Sequence, residues 1–359
     1  MQMRTIMTRL SKNKVVLGLS GGVDSSTAAL LLKEKGMEVI GFYFDVSGDN
    51  AEGAQAAADL AERLGIKFIK ADVSREFEQI VIRNFCVEYS CGHTPNPCVI
   101  CNPNIKFKKL IEIADREGAY YIATGHYARI HHDETNELYY VRKGANERKD
   151  QSYMLYRLGQ DVLSRLIFPL GGFDDKEKTR EMARDFGLPN AETADSQEIC
   201  FIDETQESYQ EFLTRKGYKC KEGDFVDADG NVLGRHKGIM NFTIGQRKGL
   251  GIALGKPAFV TEINPENNQV TLGSNDDLFK RDVYSIENVF ADGTVLAEGE
   301  SLQVRAKIRY ASKPAEAVIT VAGEGRILTS FSEPQRAATP GQSIVFYVDD
   351  YVIGGGFID

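Results

Sequence analysis

Two stretches of the chain combine residue types that can do chemistry, and the first is a loop of small residues at positions 18–26, Gly-Leu-Ser-Gly-Gly-Val-Asp-Ser-Ser. Glycines allow backbone N–H groups to surround an anion, and the helix predicted after the loop directs its positive end to the same point. The loop therefore predicts a phosphate site. Because it lacks the Gly-Lys-Ser/Thr ending of the common NTPase loop, we do not expect γ-phosphoryl transfer. We expect Asp24 to orient the loop or to hold Mg²⁺; the alternative is a plain strand-to-helix turn capped by Ser25 or Ser26.

The second stretch, residues 91–104, contains three cysteines and three prolines in the sequence Cys-Gly-His-Thr-Pro-Asn-Pro-Cys-Val-Ile-Cys-Asn-Pro-Asn. The prolines predict a stiff loop rather than a regular helix, and a preset loop suits a catalytic thiol. Two alternatives remain open. Cys98 and Cys101 have zinc-knuckle spacing, which Cys91 or His93 could complete. A thioredoxin-like redox pair is disfavoured because that motif opens a helix.

A further cysteine, Cys200, stands in the apolar run 199–202 after the polar residues Asp195, Ser196 and Gln197. A cysteine in apolar surroundings is usually a packing residue. Because polar residues precede it, a functional role for the Cys200 thiol is as well supported as a packing role.

Composition limits the class of protein. The length of 359 residues predicts two or three domains. The formal net charge of -9 restricts any nucleic-acid contact to local basic stretches such as Lys106 to Lys109 or Arg305 to Arg309. No run of about 18 apolar residues is present, residues 1–9 lack the apolar core of a secretion signal, and six cysteines are too few for a disulfide scaffold. We therefore expect a cytoplasmic protein with reduced thiols and no membrane partner.

Short apolar runs alternate with helical patterns in the first half, which predicts an α/β fold with an open parallel sheet. Strands are predicted near residues 15–19, 39–44, 68–73 and 120–124, and helices at 28–35, 51–64, 107–117 and 176–186, each helix followed by glycine. Ligands of such sheets lie beyond the carboxyl ends of the strands, so the loop, Phe44 and the pair Gly125 and His126 should share one rim. After about residue 206 the composition changes to glycine-rich hairpin material with a predicted turn at Asp229 and Gly230. From residue 258 on, β-branched runs indicate a small all-β domain, a barrel.

Six spaced motifs together resemble one family. They are Ser-Gly-Gly-Val-Asp-Ser at 20–25, Thr-Pro-Asn-Pro-x-x-x-Cys-Asn at 94–102, Ala-Thr-Gly-His-Tyr at 123–127, Lys-Asp-Gln-Ser-Tyr at 149–153, Ile-Cys-Phe-Ile at 199–202 and Gly-Gln-Arg-Lys-Gly-Leu-Gly at 245–251. The first resembles the pyrophosphate (PP) loop of enzymes that split ATP between its α- and β-phosphates. In this order the six resemble the bacterial and organellar tRNA-specific 2-thiouridylases, and the resemblance covers nearly the whole chain.

The resemblance implies ATP-dependent 2-thiolation of the wobble uridine of tRNA, through adenylation of the uracil C2 oxygen. It implies a PP-loop domain at 1–206, a small linking domain at 207–276 and a C-terminal β-barrel at 277–359. Cys200 would carry a persulfide and Cys101 would be its partner thiol, the two closing a disulfide. ATP, with Mg²⁺, would contact Gly18, Leu19, Ser20, Gly21, Gly22, Val23, Asp24, Ser25, Phe44 and Gly125. The target base would meet Asn96, Pro97 and Cys98, and tRNA would contact His126, Lys149, Asp150, Gln151, Arg309, Tyr310 and Gln342. Partners would be the tRNA anticodon arm and a sulfur donor such as a cysteine desulfurase or a relay protein.

One position departs from the family. Well-known members carry Asp where this chain has Cys98, so a general base proposed there is missing. Three thiolates with an open fourth position can hold an iron–sulfur cluster, so Cys98, Cys101 and Cys200 leave a cluster mechanism open as an alternative. Two rival functions are another adenylating enzyme, such as an amidotransferase-coupled synthetase or argininosuccinate synthase, and a zinc-stabilised RNA-binding module.

Overall fold

The computed structural model describes residues 10–48, 51–188, 190–192, 199–203, 205–293 and 296–359. The helices are α1 Val23–Glu34, α2 Ala51–Leu64, α3 Ser74–Phe77, α4 Arg83–Ser90, α5 Pro97–Cys101, α6 Phe107–Glu117, α7 Gln160–Leu163, α8 Lys176–Asp185 and α9 Tyr209–Arg215. The strands are β1 Ser11–Gly18, β2 Glu38–Asp45, β3 Lys67–Asp72, β4 Ala119–Ala123, β5 Ala128–Asp133, β6 Leu138–Lys143, β7 Leu166–Ile167, β8 Gly223–Val226, β9 Val232–His236, β10 Phe259–Asn264, β11 Gln269–Gly273, β12 Phe279–Phe290, β13 Ser301–Lys307, β14 Ala315–Val321, β15 Ile327–Arg336, β16 Ser343–Val348 and β17 Tyr351–Ile358. No helix in these ranges is long and apolar enough to cross a bilayer.

Two compact units divide the chain, and the first comprises residues 1–77 and 101–196. Its sheet has the order β3-β2-β1-β4-β7, and every pairing is parallel. The central strand β1 buries Val15, Val16 and Leu17 completely, as expected for a parallel strand covered on both faces. The predicted α/β class with an open parallel sheet is confirmed.

Local signals placed several helix ends correctly. Gly36, Gly65 and Gly118 follow α1, α2 and α6 with φ of 75°, 60° and 69°, the left-handed conformation that ends helices on glycine. The start of α1 differs from the prediction, because the helix begins at Val23 rather than at residue 28. Ser25 and Ser26, in the first turn of the helix, are buried but polar. The apolar periodicity that predicts a helix therefore does not extend to them.

The prediction of a stiff loop through residues 91–104 is wrong from Pro97 onward. The chain is helical there: α5 is followed by a π-helical turn, Asn102–Lys106, and then by α6. Pro97 is tolerated because it is the first helical residue, where its missing N–H would have no partner, and the Asn96 side chain accepts from the Cys98 N–H at 3.1 Å. Pro103 lies inside the π-helical turn, the local widening through which the helix accommodates it. The reason for disfavouring a redox pair also fails, because Cys98 does lie at a helix start.

The second unit comprises residues 78–100 and 197–359 and contains two sheets. One has the order β10-β11-β8-β9, and Gly230 (φ 83°) forms the predicted turn between β8 and β9. The other runs β12-β15-β14-β13-β16-β17 and closes through antiparallel pairs between β12 and β17, with a core that includes Ile319 and Phe346. The predicted C-terminal β-barrel is confirmed.

Candidate nucleotide and thiol sites

The small-residue loop is held by its own serines. Ser25 Oγ accepts from the Ser20 N–H at 3.2 Å and donates to the Gly22 carbonyl at 3.0 Å, while Ser26 Oγ donates to the same carbonyl at 2.8 Å. Gly21 has φ 79°, and Gly22 precedes α1 without any side-chain cap. Within the described residues, Gly22 therefore offers no side-chain cap to the start of α1, an arrangement that suits an anion. The serines also stabilise the turn, so the phosphate site stays a prediction.

Three strand ends meet at this loop. A Cβ on Gly18 would lie 3.3 Å from Phe44 Cε2, and a Cβ on Gly125 would lie 2.9 Å from the Asp24 carbonyl carbon and 3.0 Å from the Ser25 nitrogen. Glycine is needed at 125 because its backbone packs directly on the start of α1. The carboxyl ends of β1, β2 and β4 therefore form one rim with the loop between them, as the parallel topology requires.

The Asp24 side chain is bound by residues distant in sequence, and both of its predicted roles, orienting the loop and holding Mg²⁺, stay predictions. Its Oδ1 accepts from the Tyr127 hydroxyl at 2.8 Å and from the Lys176 ammonium. The Lys176 side chain is 12% exposed, and its Nζ lies 5.3 Å from the centre of the Tyr127 ring. The loop thus gains a cation from α8, 152 residues away in sequence.

Sequence reasoning missed Lys176 and also Asn190. The Asn190 amide donates to the Gly21 carbonyl and, at 2.8 Å, to Ser26 Oγ. Asn190 thus holds the loop at residues 18–26 although it lies far from it in sequence. No local pattern singles out either residue, because the contact depends on the packing of α8 and the segment after it beside α1.

The surroundings of His126 favour the neutral form of its ring. Its Nδ1 lies 2.6 Å from Thr124 Oγ1, and its ring packs beside Phe107 and Phe168 with centroids 6.1 and 5.8 Å away. The surrounding apolar atoms, with a smaller contribution from the Lys106 charge, hold the pKa of His126 well below its ordinary value. If Thr124 donates to Nδ1, then Nε2 carries the proton and can donate to a ligand.

The predicted tRNA contacts Lys149, Asp150 and Gln151 lie in a loop that holds itself together. The Asp150 carboxylate is 6% exposed and accepts from the N–H groups of Gly144 and Ser152 at 3.0 and 3.1 Å. Gln151 exchanges two 2.9 Å hydrogen bonds with the Tyr127 backbone. Asp150 and Gln151 therefore shape this loop, and their contact with RNA stays a prediction.

In the second unit, barrel residues hold the segment that leads to α5. Gln342 Nε2 donates to the Thr94 carbonyl at 2.7 Å, the Thr94 N–H donates to the Pro340 carbonyl at 2.9 Å, and Thr94 Oγ1 donates to Thr243 Oγ1 at 3.2 Å. Gln342 thus supports the segment that precedes α5, and its contact with tRNA stays a prediction.

The cysteines differ in exposure. Cys98 and Cys200 are exposed, Cys101 is half-buried, and burial raises the pKa of Cys86 to about 11, which leaves that thiol inert. Cys200 is followed by Phe201, whose ring lies 5.3 Å from Phe85 of α4. The polar lead-in at residues 195–197 lies outside the described residues. Across the described part of the chain, no three His, Cys, Asp or Glu side chains are grouped to hold a metal ion, so neither a zinc site nor a cluster site has an assembled ligand set.

A basic corner of the barrel carries the remaining predicted contacts. Tyr310 is 38% exposed, and the ammonium of the buried Lys307 lies 5.4 Å from its ring centre. Arg309 is partly buried, and among the described residues its Nε finds no hydrogen-bond acceptor. A guanidinium with an unmet donor is suited to an anionic partner.

Known families and relatives match along nearly the whole chain. Residues 13–204 match the tRNA methyl transferase HUP domain, 210–274 the tRNA methyl transferase PRC-barrel domain, and 290–358 the aminomethyltransferase beta-barrel domain. A tRNA-specific 2-thiouridylase MnmA 1 of Caldanaerobacter subterraneus subsp. tengcongensis is 46% identical over 97% of this chain and 98% of its own length. The MnmA proteins of Syntrophomonas wolfei and Clostridioides difficile are 47% and 44% identical over 96% of this chain and 99% and 98% of their own.

Proposed function

The chain belongs to the tRNA-specific 2-thiouridylase family, and from this premise we propose that it thiolates the wobble uridine of tRNA at C2, using ATP and a cysteine persulfide. Full-length identity of 44–47% to 2-thiouridylases carries the proposal. It also decides against methyl transfer, which the family descriptions name.

The loop supports the ATP half of the reaction. The uracil C2 oxygen attacks the α-phosphorus of ATP, the bond to the β-phosphate breaks, and pyrophosphate leaves. This converts a poor leaving group into AMP. Gly18 to Ser25 would hold the phosphates, with Phe44 and Gly125 lining the same rim, and Mg²⁺ would neutralise phosphate charge when bound.

The thiols support the sulfur half. The outer sulfur of a persulfide on Cys200 attacks C2, and AMP leaves with the original oxygen. The Cys101 thiolate then attacks the inner sulfur of Cys200, so a Cys101–Cys200 disulfide forms and sulfur stays on the base. A thiol reductant must reopen the disulfide, and a cysteine desulfurase or relay protein must reload Cys200. Cys98 replaces the family's carboxylate, so we assign the general base to the Cys98 thiolate, to phosphate or to water.

The remaining predicted contacts belong to tRNA recognition. We propose that the base leaves the anticodon stack to reach Asn96, Pro97 and Cys98. His126, Lys149, Arg309 and Tyr310 would contact the anticodon arm from a body that is otherwise acidic. We retain the domain boundaries 1–206, 207–276 and 277–359, and the requirement for tRNA and reduced thiols favours the cytoplasm.

The test supplies ATP, unmodified tRNA and a persulfide-generating desulfurase, and it reads nucleosides by mass spectrometry. We expect 2-thiouridine. Cys200→Ser should abolish it while pyrophosphate is still released, and the exposed Cys220→Ser in the same unit is the matched control. A methylated uridine, or full thiolation by Cys200→Ser, would overturn the proposal.

A further inference from the structure

The loop at residues 18–26 presents a charge problem. It contains no cation of its own, and its one ionisable residue, Asp24, is negative. In the structure the Lys176 ammonium neutralises that carboxylate. A carboxylate beside a phosphate cradle repels the ligand unless a cation accompanies it.

Lys176 is positioned firmly but retains the freedom to change partner. It is the first residue of α8, whose Asp175 cap accepts from the Glu177 N–H at 3.0 Å. The helix is tied to α1 because Thr27 Oγ1 donates to the Thr179 carbonyl at 3.3 Å. The ammonium ends a flexible four-carbon stem and has three donors, so it can rotate from a carboxylate to a neighbouring phosphate without moving the helix.

We propose that Lys176 is the phosphate-binding cation of this site: when ATP enters, its ammonium contacts the β- and γ-phosphates and remains with them as pyrophosphate leaves. Until ATP binds, Asp24 holds the ammonium beside the loop. The lysine that common NTPase loops carry within the loop is here delivered by α8. This inference rests on the proposed use of ATP.

The test compares Lys176→Gln with Lys176→Arg and with Lys178→Gln. Lys178 is an exposed lysine of the same helix that pairs with Asp174, so it controls for loss of one positive charge. Binding of ATP, pyrophosphate and adenosine is measured by calorimetry. Charged hydrogen bonds of this kind predict that Lys176→Gln weakens ATP and pyrophosphate by about tenfold to a hundredfold, leaves adenosine unchanged, and is partly restored by Lys176→Arg.

Each outcome decides. Equal weakening of adenosine would show a merely structural role, and unchanged pyrophosphate binding would remove the contact; both overturn the inference. Recovery of wild-type pyrophosphate affinity in Asp24→Asn/Lys176→Gln would reduce Lys176 to a neutraliser of Asp24 and overturn it too. If wild-type protein binds no ATP, the proposed function fails instead.

Discussion

Replacing Gly125 by alanine tests whether the rim of the sheet positions the phosphate loop. The added Cβ would lie 2.9 Å from the Asp24 carbonyl carbon, 3.0 Å from the Ser25 nitrogen and 3.1 Å from the Asp24 oxygen. Carbon atoms in good contact are about 3.5 Å apart or more, so the start of α1 has to retreat by roughly 0.6 Å. All three neighbours are backbone atoms, and a side-chain rotation cannot relieve the overlap.

Overpacking of this kind costs about 1–3 kcal/mol. The cost falls on the segment that binds phosphate, because Ser25 also accepts from the Ser20 N–H at 3.2 Å and retreat of α1 breaks that bond. We therefore expect Gly125→Ala to raise the Kd for ATP about 5- to 150-fold. Calorimetric titration with ATP measures it, and urea unfolding shows whether global stability changes as well.

The matched control is Gly172→Ala in the same unit, where an added Cβ has nothing within 4 Å and φ is not positive. It should bind ATP like the wild type. If Gly125→Ala also binds ATP within twofold of the wild type, the rim does not hold the loop and the reasoning is refuted.

Three further perturbations test other parts of the structure. Because burial lowers the pKa of His126, the unfolded chain binds more protons below pH 6.5 and stability falls there; His126→Asn should flatten urea midpoints between about pH 7 and pH 5, and an unchanged profile would contradict this. Gly341→Ala combines φ 84° with a Cβ 2.9 Å from His93, so it should lose about 1–3 kcal/mol more than Gly323→Ala, which has φ 81° and open space; equal losses would argue against the overlap. Iodoacetamide should label the exposed Cys91 well before Cys86, whose pKa is about 11, with mass spectrometry of peptides as the readout.

Sequence patterns predicted the parallel sheet, the loop and most helix ends because those features depend on neighbours in the chain. Apolar runs show buried strands, and a glycine after a helical pattern supplies the left-handed residue that Gly65 and Gly118 adopt. The same logic placed Phe44 and Gly125 on one rim. One prediction from local sequence was wrong. Three prolines predicted a loop, but the chain is helical there because the widened turn at Asn102–Lys106 accommodates Pro103.

Contacts between residues distant in sequence explain why the prediction of the phosphate loop at residues 18–26 lacked Lys176 and Asn190. Lys176 and Asn190 reach residues 21–26 across more than 150 positions, and nothing near either residue in sequence marks it as part of a phosphate site. Yet the omission was signalled indirectly, because a phosphate loop with an aspartate and no lysine needs a cation from elsewhere. Asp24 Oδ1 accepts hydrogen bonds from both the Lys176 ammonium and the Tyr127 hydroxyl. The Tyr127 backbone N–H in turn donates to the Gln151 side chain. The predicted RNA-binding loop and the nucleotide site therefore share Tyr127, so substitution of Gln151 should alter ATP affinity even before RNA is added.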